Sequence, residues 1–364
     1  MISRIERELL SGFGNIMATR AARIAAFVLA VLLAGFLSYK AVNNQITETS
    51  VLSEDRVSLA RYVDGTASRP FAYRYLTPVL VRFAQDTLQI PALFRAMPDA
   101  VQSKVAFLCT KSIAQPVASC DNVVSYAVVA YGCFFVFLLA IYTISNRLFG
   151  NVLISLSSLF FAFLLVNSIL LLGLAHAYDF TGLMMVSLIL LCLQRGWTIL
   201  TIVALGIGFA AKETIIIYTL AFFCVNLGRL PLLKNAAYFG ATILLFVLVH
   251  GAIRLHFAGN MGEGHEYYLP LQIYFFTEHM TLTMLLLLAF SMVAVFYRFP
   301  QKDHFLRRSS IVIMPWFVLY LLFGVQRELR VMFEILPLVV LLTTDSVSRL
   351  ILGDALPRRQ PIEA

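Results

Sequence analysis

A succession of apolar runs, most of them about 17 to 25 residues long, limits what this chain can fold into. Runs of this length with few charges are typical of helices that cross a lipid bilayer. They lie at 21–38, 123–145, 152–174, 180–194, 236–254, 281–297, 309–325 and 331–349. A further stretch, 198–227, has Lys212-Glu213-Thr214 at its centre, so it is either one long crossing or two short half-helices that meet at a polar apex.

The composition supports a membrane protein. Of the 364 residues, 60% are hydrophobic and 13% are charged, and the mean hydropathy is +0.83. Soluble domains are nearer a quarter charged, so a cytosolic enzyme, a disordered chain and a disulfide-rich secreted module are excluded. Because backbone polar groups need internal partners in lipid, we predict an all-α fold, a polytopic transmembrane helical bundle that forms one domain over 1–364.

Basic residues predict the orientation of the bundle, because Lys and Arg collect on the cytoplasmic side. Residues 1–20 precede the first run and contain several arginines, so we expect a cytoplasmic N-terminal segment. The links expected on the same side carry Arg147, Arg195, Arg229, Lys234, Arg298, Lys302, Arg307 and Arg308. The pattern holds only if 198–227 crosses an even number of times. We therefore predict a hairpin there, about ten helices, and a cytoplasmic tail at 350–364. The net charge of +8 is then a topology signal and not a sign of nucleic-acid binding.

Two long segments are expected on the outer side, a first periplasmic loop at 39–122 and a second at 255–280. From Leu76 onward, apolar residues in the first loop recur at helical spacing, which predicts amphipathic helices lying at the membrane interface. Cys109 and Cys120 also lie in this loop, where a disulfide is permitted. The sequence leaves open whether that bridge forms.

Ionisable residues near the predicted spans gather on the outer side. Each such group costs about 2.5–3.5 kcal/mol at membrane depth, so these groups usually face a cavity or one another. We therefore predict a polar cavity that opens outward. Its candidate residues are Asp55, Asp64, Arg69, Arg74, Asp179, Lys212, Glu213, Arg327, Arg330 and Glu334.

Structural roles remain open for individual members of this set. Arg330 and Glu334 are spaced i, i+4 and would pair along one helix. Lys212 would neutralise Glu213 or Asp179 and hold helices together.

The charged residues of the first loop have structural alternatives too. Arg69 and Arg74 would reach lipid headgroups, and Asp64-Gly65 would be only a turn. Taken together, the mixed charges suit a substrate with an anionic part and a reacting hydroxyl. Arg and Lys bind phosphate, while a carboxylate accepts a proton. The residues thus predict transfer of a group from a lipid phosphate, whose leaving charge needs cationic stabilisation.

Three segments carry a family resemblance: DRVSLARYVDGTASRPFAYRYLTPVL in the first loop, GIGFAAKET in mid-chain, and QRELRVMFEILP near the end. With the predicted layout, they resemble the GT-C superfamily of polytopic membrane glycosyltransferases, which use polyprenyl-phosphate-linked sugars. The resemblance implies hexosyl or pentosyl transfer to a glycan or lipid-linked acceptor of the cell envelope. It places the reaction at the outer face of a bacterial cytoplasmic membrane.

The resemblance also implies roles for the candidate residues. The catalytic base would be an acid of the first loop, Asp55 or Asp64. The lipid phosphate would be bound by Arg74, Lys212, Arg327 and Arg330. The remaining candidates for binding the lipid phosphate or the substrate come from the gathering of charges and are Arg69, Asp179, Glu213 and Glu334.

No cofactor is firmly implied. In the second loop, His265-Glu266 and Glu278-His279 are only weak candidates for a divalent metal, and a mobile loop covering the cavity is the favoured interpretation. Two other functions stay open. One is a transporter or flippase for a polar or lipid-linked solute. The other is a non-catalytic subunit or another outer-face transferase.

Overall fold

The structure, a computed structural model, describes residues 20–48, 58–69, 71–99, 102–103, 109, 120–171, 176–262, 268–278, 281–323 and 329–352. Regular secondary structure in this part of the chain is helical, which confirms the predicted all-α class. The first five α-helices are α1 (Arg20–Glu48), α2 (Leu59–Asp64), α3 (Leu76–Asp86), α4 (Ile90–Arg95) and α5 (Cys120–Phe149). The next five are α6 (Val152–Leu171), α7 (Asp179–Arg195), α8 (Thr198–Ala211), α9 (Tyr218–Asn226) and α10 (Leu232–His256). The last five are α11 (Leu269–Glu278), α12 (Leu282–Phe296), α13 (His304–Ser309), α14 (Ile313–Phe323) and α15 (Leu336–Leu352).

Five helices among the described residues are long and apolar enough to cross a membrane. They are Ala21–Thr47, Cys120–Phe149, Val152–Leu171, Leu232–His256 and His304–Phe323, the last of which joins α13 and α14. The chain is therefore a membrane-type helical protein, and the number of about ten crossings stays a prediction.

The first helix is longer than its apolar run. The sequence places the end of the first span at residue 38 and the start of the outer loop at 39, whereas α1 continues to Glu48. The helix continues because Ala41, Val42 and Ile46 are buried, so the extra turns pack against the bundle. The polar Gln45 is also buried there, and its Nε2 donates to the carbonyl of His176 at 3.1 Å.

The segment 198–227 doubles back on itself. Helix α8 ends at Ala211, Lys212 is extended with φ −162° and ψ 133°, and a 3-10 turn follows before α9. Beyond α9, Arg229 Nη1 donates to the carbonyl of Leu193 at 3.1 Å, near the end of α7. Because α8 begins just after α7, both ends of the segment lie at the same end of the bundle. Lys212 is at the turn of a helical hairpin.

Charged residues mark both ends of the bundle, and arginines of the inter-helix links gather at one of them. At one end, here called the Arg229 end, Arg308 Nη1 donates to the carbonyls of Cys224 and Leu227, which are the last carbonyls of the hairpin. Arginine is favourable there because helix C-termini leave unpaired carbonyls and partial negative charge. The opposite end, here called the Lys212 end, holds the charged residues described in the next subsection.

The first loop packs across the Lys212 end. Thr77 and Thr181 share a hydrogen bond of 2.7 Å between their hydroxyl oxygens, which joins α3 to α7. One face of α3 is buried while Val79 and Phe83 are exposed on the other, as expected for an amphipathic helix at an interface. A disulfide joins Cys109 to Cys120 at the start of α5 and so attaches the loop to the bundle.

The structure predicts that α10 connects the two faces of the membrane. Its 25 residues span roughly 37 Å at about 1.5 Å per residue. The test starts from a chain in which Cys133, Cys192 and Cys224 are replaced by alanine. One cysteine is then introduced, either at Met261, beyond one end of α10, or at Leu233, at the other end. Both positions are exposed, with relative exposures of 85% and 84%. We expect an impermeant maleimide to label Met261→Cys in intact cells and Leu233→Cys only after permeabilisation. Equal labelling of both from one side would contradict this topology.

Candidate functional site

Two buried ion pairs form the centre of the Lys212 end. Arg74 Nη2 lies 3.2 Å from Glu213 Oε1, and the two side chains are 12% and 17% exposed. Lys212 Nζ lies 2.6 Å from Glu334 Oε1, with side-chain exposures of 8% and 4%. The pairs unite the first loop, the turn of the hairpin and the 3-10 helix Leu329–Glu334. Segments far apart in sequence therefore meet at one place.

A third carboxylate, Asp179, stands beside these pairs at the first residue of α7. It is 1% exposed, and its Oδ2 accepts a hydrogen bond of 2.6 Å from the backbone N–H of His176. Lys212 and Arg74 both lie near enough for their positive charges to act on it. The described cluster thus combines two cations with three carboxylates. Two of the carboxylates are compensated by ion pairs, and Asp179 is held by the His176 N–H.

Aromatic rings surround the cations. The Arg74 guanidinium carbon lies 4.2 Å from the ring centre of Tyr178, and Lys212 Nζ lies 5.8 Å from the same centre. Such contacts attract cations to the π-face when solvent is excluded. Tyr62 packs against Tyr178 with ring centres 6.0 Å apart, and its hydroxyl donates to the carbonyl of Arg74. Burial raises the pKa of the Tyr62 phenol and Arg74 only partly offsets this, so Tyr62 stays a hydrogen-bond donor.

Several buried polar atoms in the cluster have no hydrogen-bond partner within the described part of the chain. They are Arg74 Nε, His176 Nδ1, Asp179 Oδ1, Glu213 Oε2, Thr214 Oγ1 and Glu334 Oε2. Leaving such a group unpaired costs about 1–3 kcal/mol, and native proteins leave few of them. Donors and acceptors gathered in this way are suited to hold a polar ligand.

The structure corrects two of the structural alternatives. Lys212 pairs with Glu334, and neither Glu213 nor Asp179 is its ion-pair partner within the described residues. Arg74 is largely buried and pairs with Glu213 inside the protein, which does not fit a side chain directed at the lipid. Both have the same physical reason: a charge removed from water is costly unless an opposite charge lies beside it, and that partner is set by the fold rather than by the sequence.

The remaining predicted residues are distributed as follows. Asp64 is exposed at the end of α2. Gly65 follows it with a φ of +77°, and its backbone N–H caps the helix, so the pair forms a turn. The backbone N–H of Arg69 donates to the Met261 carbonyl at 2.8 Å. Arg330 lies in the 3-10 helix that carries Glu334. Asp55 and Arg327 lie outside the described residues.

A cavity of about 180 Å³ adjoins the cluster between α2, α3 and the end of α10. Its walls include Asp64, Tyr75, Arg82, His256 and Asn260, and Tyr62 belongs to both the cavity and the cluster. Asp64 was predicted from the sequence, but the aromatic residues of the cavity and the cluster were not. The sequence indicates them only by their position next to charged residues, as with Tyr178 in the segment HAYDF.

No metal centre is found in the residues that the structure describes. Within them, no group of three or more His, Cys, Asp and Glu side chains has an arrangement that could hold an ion. Of the weak candidates in the second loop, His265, Glu266 and His279 lie outside the described residues. Glu278 is the last residue of α11, a helix that occupies part of the segment expected to be a loop.

Comparisons with known proteins give no relative for this arrangement. No family model matches the chain, and neither the curated proteins nor the solved structures contain a significant match.

The buried pair should be far more sensitive to mutation than an exposed one. Lys212→Met leaves Glu334 buried without its partner, which typically costs about 3–5 kcal/mol, whereas Lys212→Met with Glu334→Met removes both charges and should recover much of that loss. Arg95 and Asp121 form an exposed control pair, with side-chain exposures of 66% and 47%, and Arg95→Met should cost about 0–1 kcal/mol. Thermal unfolding in detergent measures these differences. Equal losses at both pairs would contradict the described burial.

Proposed function

We propose that this chain is a membrane glycosyltransferase. It transfers a sugar from a polyprenyl-phosphate-linked donor to a glycan or lipid-linked acceptor of the cell envelope. The observation that carries the proposal is the buried cluster of Arg74, Asp179, Lys212, Glu213 and Glu334, with an open cavity beside it. A lipid substrate suits this place, because its tail stays between helices while its headgroup reaches the polar end of the bundle.

The cations of the cluster fit a phosphate that leaves with negative charge. Arg presents a planar fork of donors that matches phosphate oxygens, and Lys supplies a compact charge. Glu213 and Glu334 hold Arg74 and Lys212 in place at rest. The donor phosphate competes with these carboxylates for the same cations. Once the phosphate has displaced the carboxylates, the two cations are already in place to stabilise the charge that develops on it.

The transfer step conserves atoms and electrons. An acceptor hydroxyl oxygen attacks the anomeric carbon of the donor sugar and forms the new C–O bond. The bond between that carbon and the phosphate oxygen breaks, and its electron pair leaves with the lipid phosphate. The hydroxyl proton passes to a carboxylate, for which Asp64 and Asp55 are the candidates. No external oxidant or metal is needed to balance the reaction.

The two ends of the bundle support the orientation of this reaction. The Arg229 end collects arginines of the inter-helix links, as cytoplasmic ends do. The Cys109–Cys120 disulfide fastens the first loop, which lies at the Lys212 end, and disulfides persist in oxidising compartments such as the bacterial periplasm. Both features support a cluster at the outer face of the cytoplasmic membrane, and the proposal keeps both termini on the cytoplasmic side.

Transfer activity should depend on the cluster. In membranes from an overexpressing strain, given radiolabelled polyprenyl-phosphate hexose and pentose donors, Arg74→Ala should lower sugar transfer about 100-fold, because one lost donor to a developing oxyanion has about that effect. Arg74→Lys should recover only part, since the fork is lost. Arg95→Ala, at an exposed arginine of the same loop, is the matched control. Unchanged transfer in Arg74→Ala would remove the phosphate site from the proposal.

The base is tested separately. Asp64→Asn and Asp55→Asn keep size and remove the proton acceptor, so the variant at the true base should lose transfer while retaining donor binding. Asp99→Asn, at another acid of the first loop, is the control. Full activity in both Asp64→Asn and Asp55→Asn would eliminate the proposed first-loop base.

Transport of a polar or lipid-linked solute is the second candidate function, and one observation favours it. The hairpin is interrupted at Lys212, and interrupted helices beside buried charges are common at transporter binding sites. Counterflow of the same labelled polyprenyl-phosphate sugars in proteoliposomes separates the two functions. Accumulation of unmodified label supports transport, and appearance of a new glycoside supports transfer.

A further inference from the structure

We propose that the cavity beside the cluster binds one sugar ring of a saccharide acceptor. This inference rests on the proposed function and assigns the acceptor to a site of its own. The cavity, of about 180 Å³, is bounded by α2, α3 and the end of α10. It is smaller than the roughly 300–1,000 Å³ of sites for drug-sized ligands, so it suits a single ring of a longer chain.

Three aromatic rings form one wall of the cavity. Tyr75 lies with its ring centre 5.5 Å from that of Phe257 and 6.1 Å from that of His256. The His256 and Phe257 rings meet at 4.7 Å, nearly edge to face. The face of an aromatic ring is electron-rich, so it attracts the polarised C–H groups on the apolar face of a sugar.

Charged and amide groups line the rest of the cavity. Asp64 is exposed, and its carboxylate accepts hydrogen bonds from hydroxyl groups. Arg82 Nε donates to the carbonyl of Val63 at 2.8 Å, which holds the guanidinium beside the cavity. Asn260 Nδ2 donates to the carbonyls of Gly65 and Ala67, both at 2.9 Å. The turn that follows Asp64 is thereby fixed before a ligand arrives, as a specific site requires.

The lining also separates the acceptor from the donor. The lining carries one carboxylate, Asp64, and one guanidinium, Arg82, so their formal charges balance and the cavity suits an uncharged polyhydroxyl ligand better than a phosphate. The cations suited to a phosphate are in the adjacent cluster. Tyr62 joins the two places, because it lines the cavity while its hydroxyl donates to the carbonyl of Arg74.

Binding is tested without any donor. Saturation-transfer NMR on the full chain in nanodiscs uses methyl glycosides of glucose, galactose, mannose and arabinose, with glycerophosphoethanolamine as the zwitterionic headgroup probe. We expect at least one glycoside to give a signal that falls at least tenfold in Tyr75→Ala and His256→Ala. The controls Phe83→Ala and Leu255→Ala, at exposed neighbours that do not line the cavity, should keep it. Tyr75→Phe keeps the ring and should retain binding, which separates loss of the wall from loss of the fold.

The inference is overturned if no glycoside gives a signal in the native chain, including the case in which only glycerophosphoethanolamine does. It is also overturned if the glycoside signal survives in both Tyr75→Ala and His256→Ala. Failure of the proposed function is distinguishable. If a glycoside binds and its signal is lost in the two variants, but the chain transfers no sugar, the cavity assignment holds and the transferase proposal fails. Sugar transfer with an acceptor KM unchanged in His256→Ala leaves the transferase standing and removes the cavity assignment.

Discussion

Charge compensation at the Lys212 end is the constraint on which the rest of the structure depends. Lys212, Glu334 and Asp179 are buried among apolar helices, Arg74 and Glu213 are largely buried, and each charge would be costly alone. Pairing resolves this cost only if three distant segments meet, so the ion pairs fix where the first loop, the hairpin turn and the final 3-10 helix lie. The same arrangement leaves donors and acceptors without partners in the described chain. The feature that organises the fold is thus also the candidate site.

Much of the fold was predictable from periodicity and hydropathy. Long apolar runs become helices because backbone groups in lipid have to bond internally, and the polar centre at Lys212 interrupts its helix as expected. The boundaries were less predictable. Helix α1 continues to Glu48 because its later apolar residues find a surface to pack on, and that surface is formed by other helices. Such tertiary contacts have no local signal in the chain.

The sequence predicted which charged residues belong to the site, but it did not predict which of them form ion pairs. Hydropathy alone identified Asp179, Lys212, Glu213 and Glu334, because charges near apolar runs are conspicuous. Which carboxylate meets Lys212 depends on how the final segment folds over the hairpin, and sequence neighbours were the wrong guide. The aromatic residues of the cluster and cavity were missed for another reason. In a chain with 30 Phe and 15 Tyr, an aromatic residue near a charge is too common to stand out.

The central claim is that the hairpin turn, the first loop and the final 3-10 helix share one buried charge cluster. A cryo-electron microscopy structure of the native chain in lipid nanodiscs tests it most directly through two distances. We expect Lys212 Nζ within 4 Å of a Glu334 carboxylate oxygen and Arg74 within 4 Å of Glu213, as the described pairs at 2.6 and 3.2 Å require. Side chains of Lys212 and Glu334 that face separate, water-filled surfaces would contradict the account.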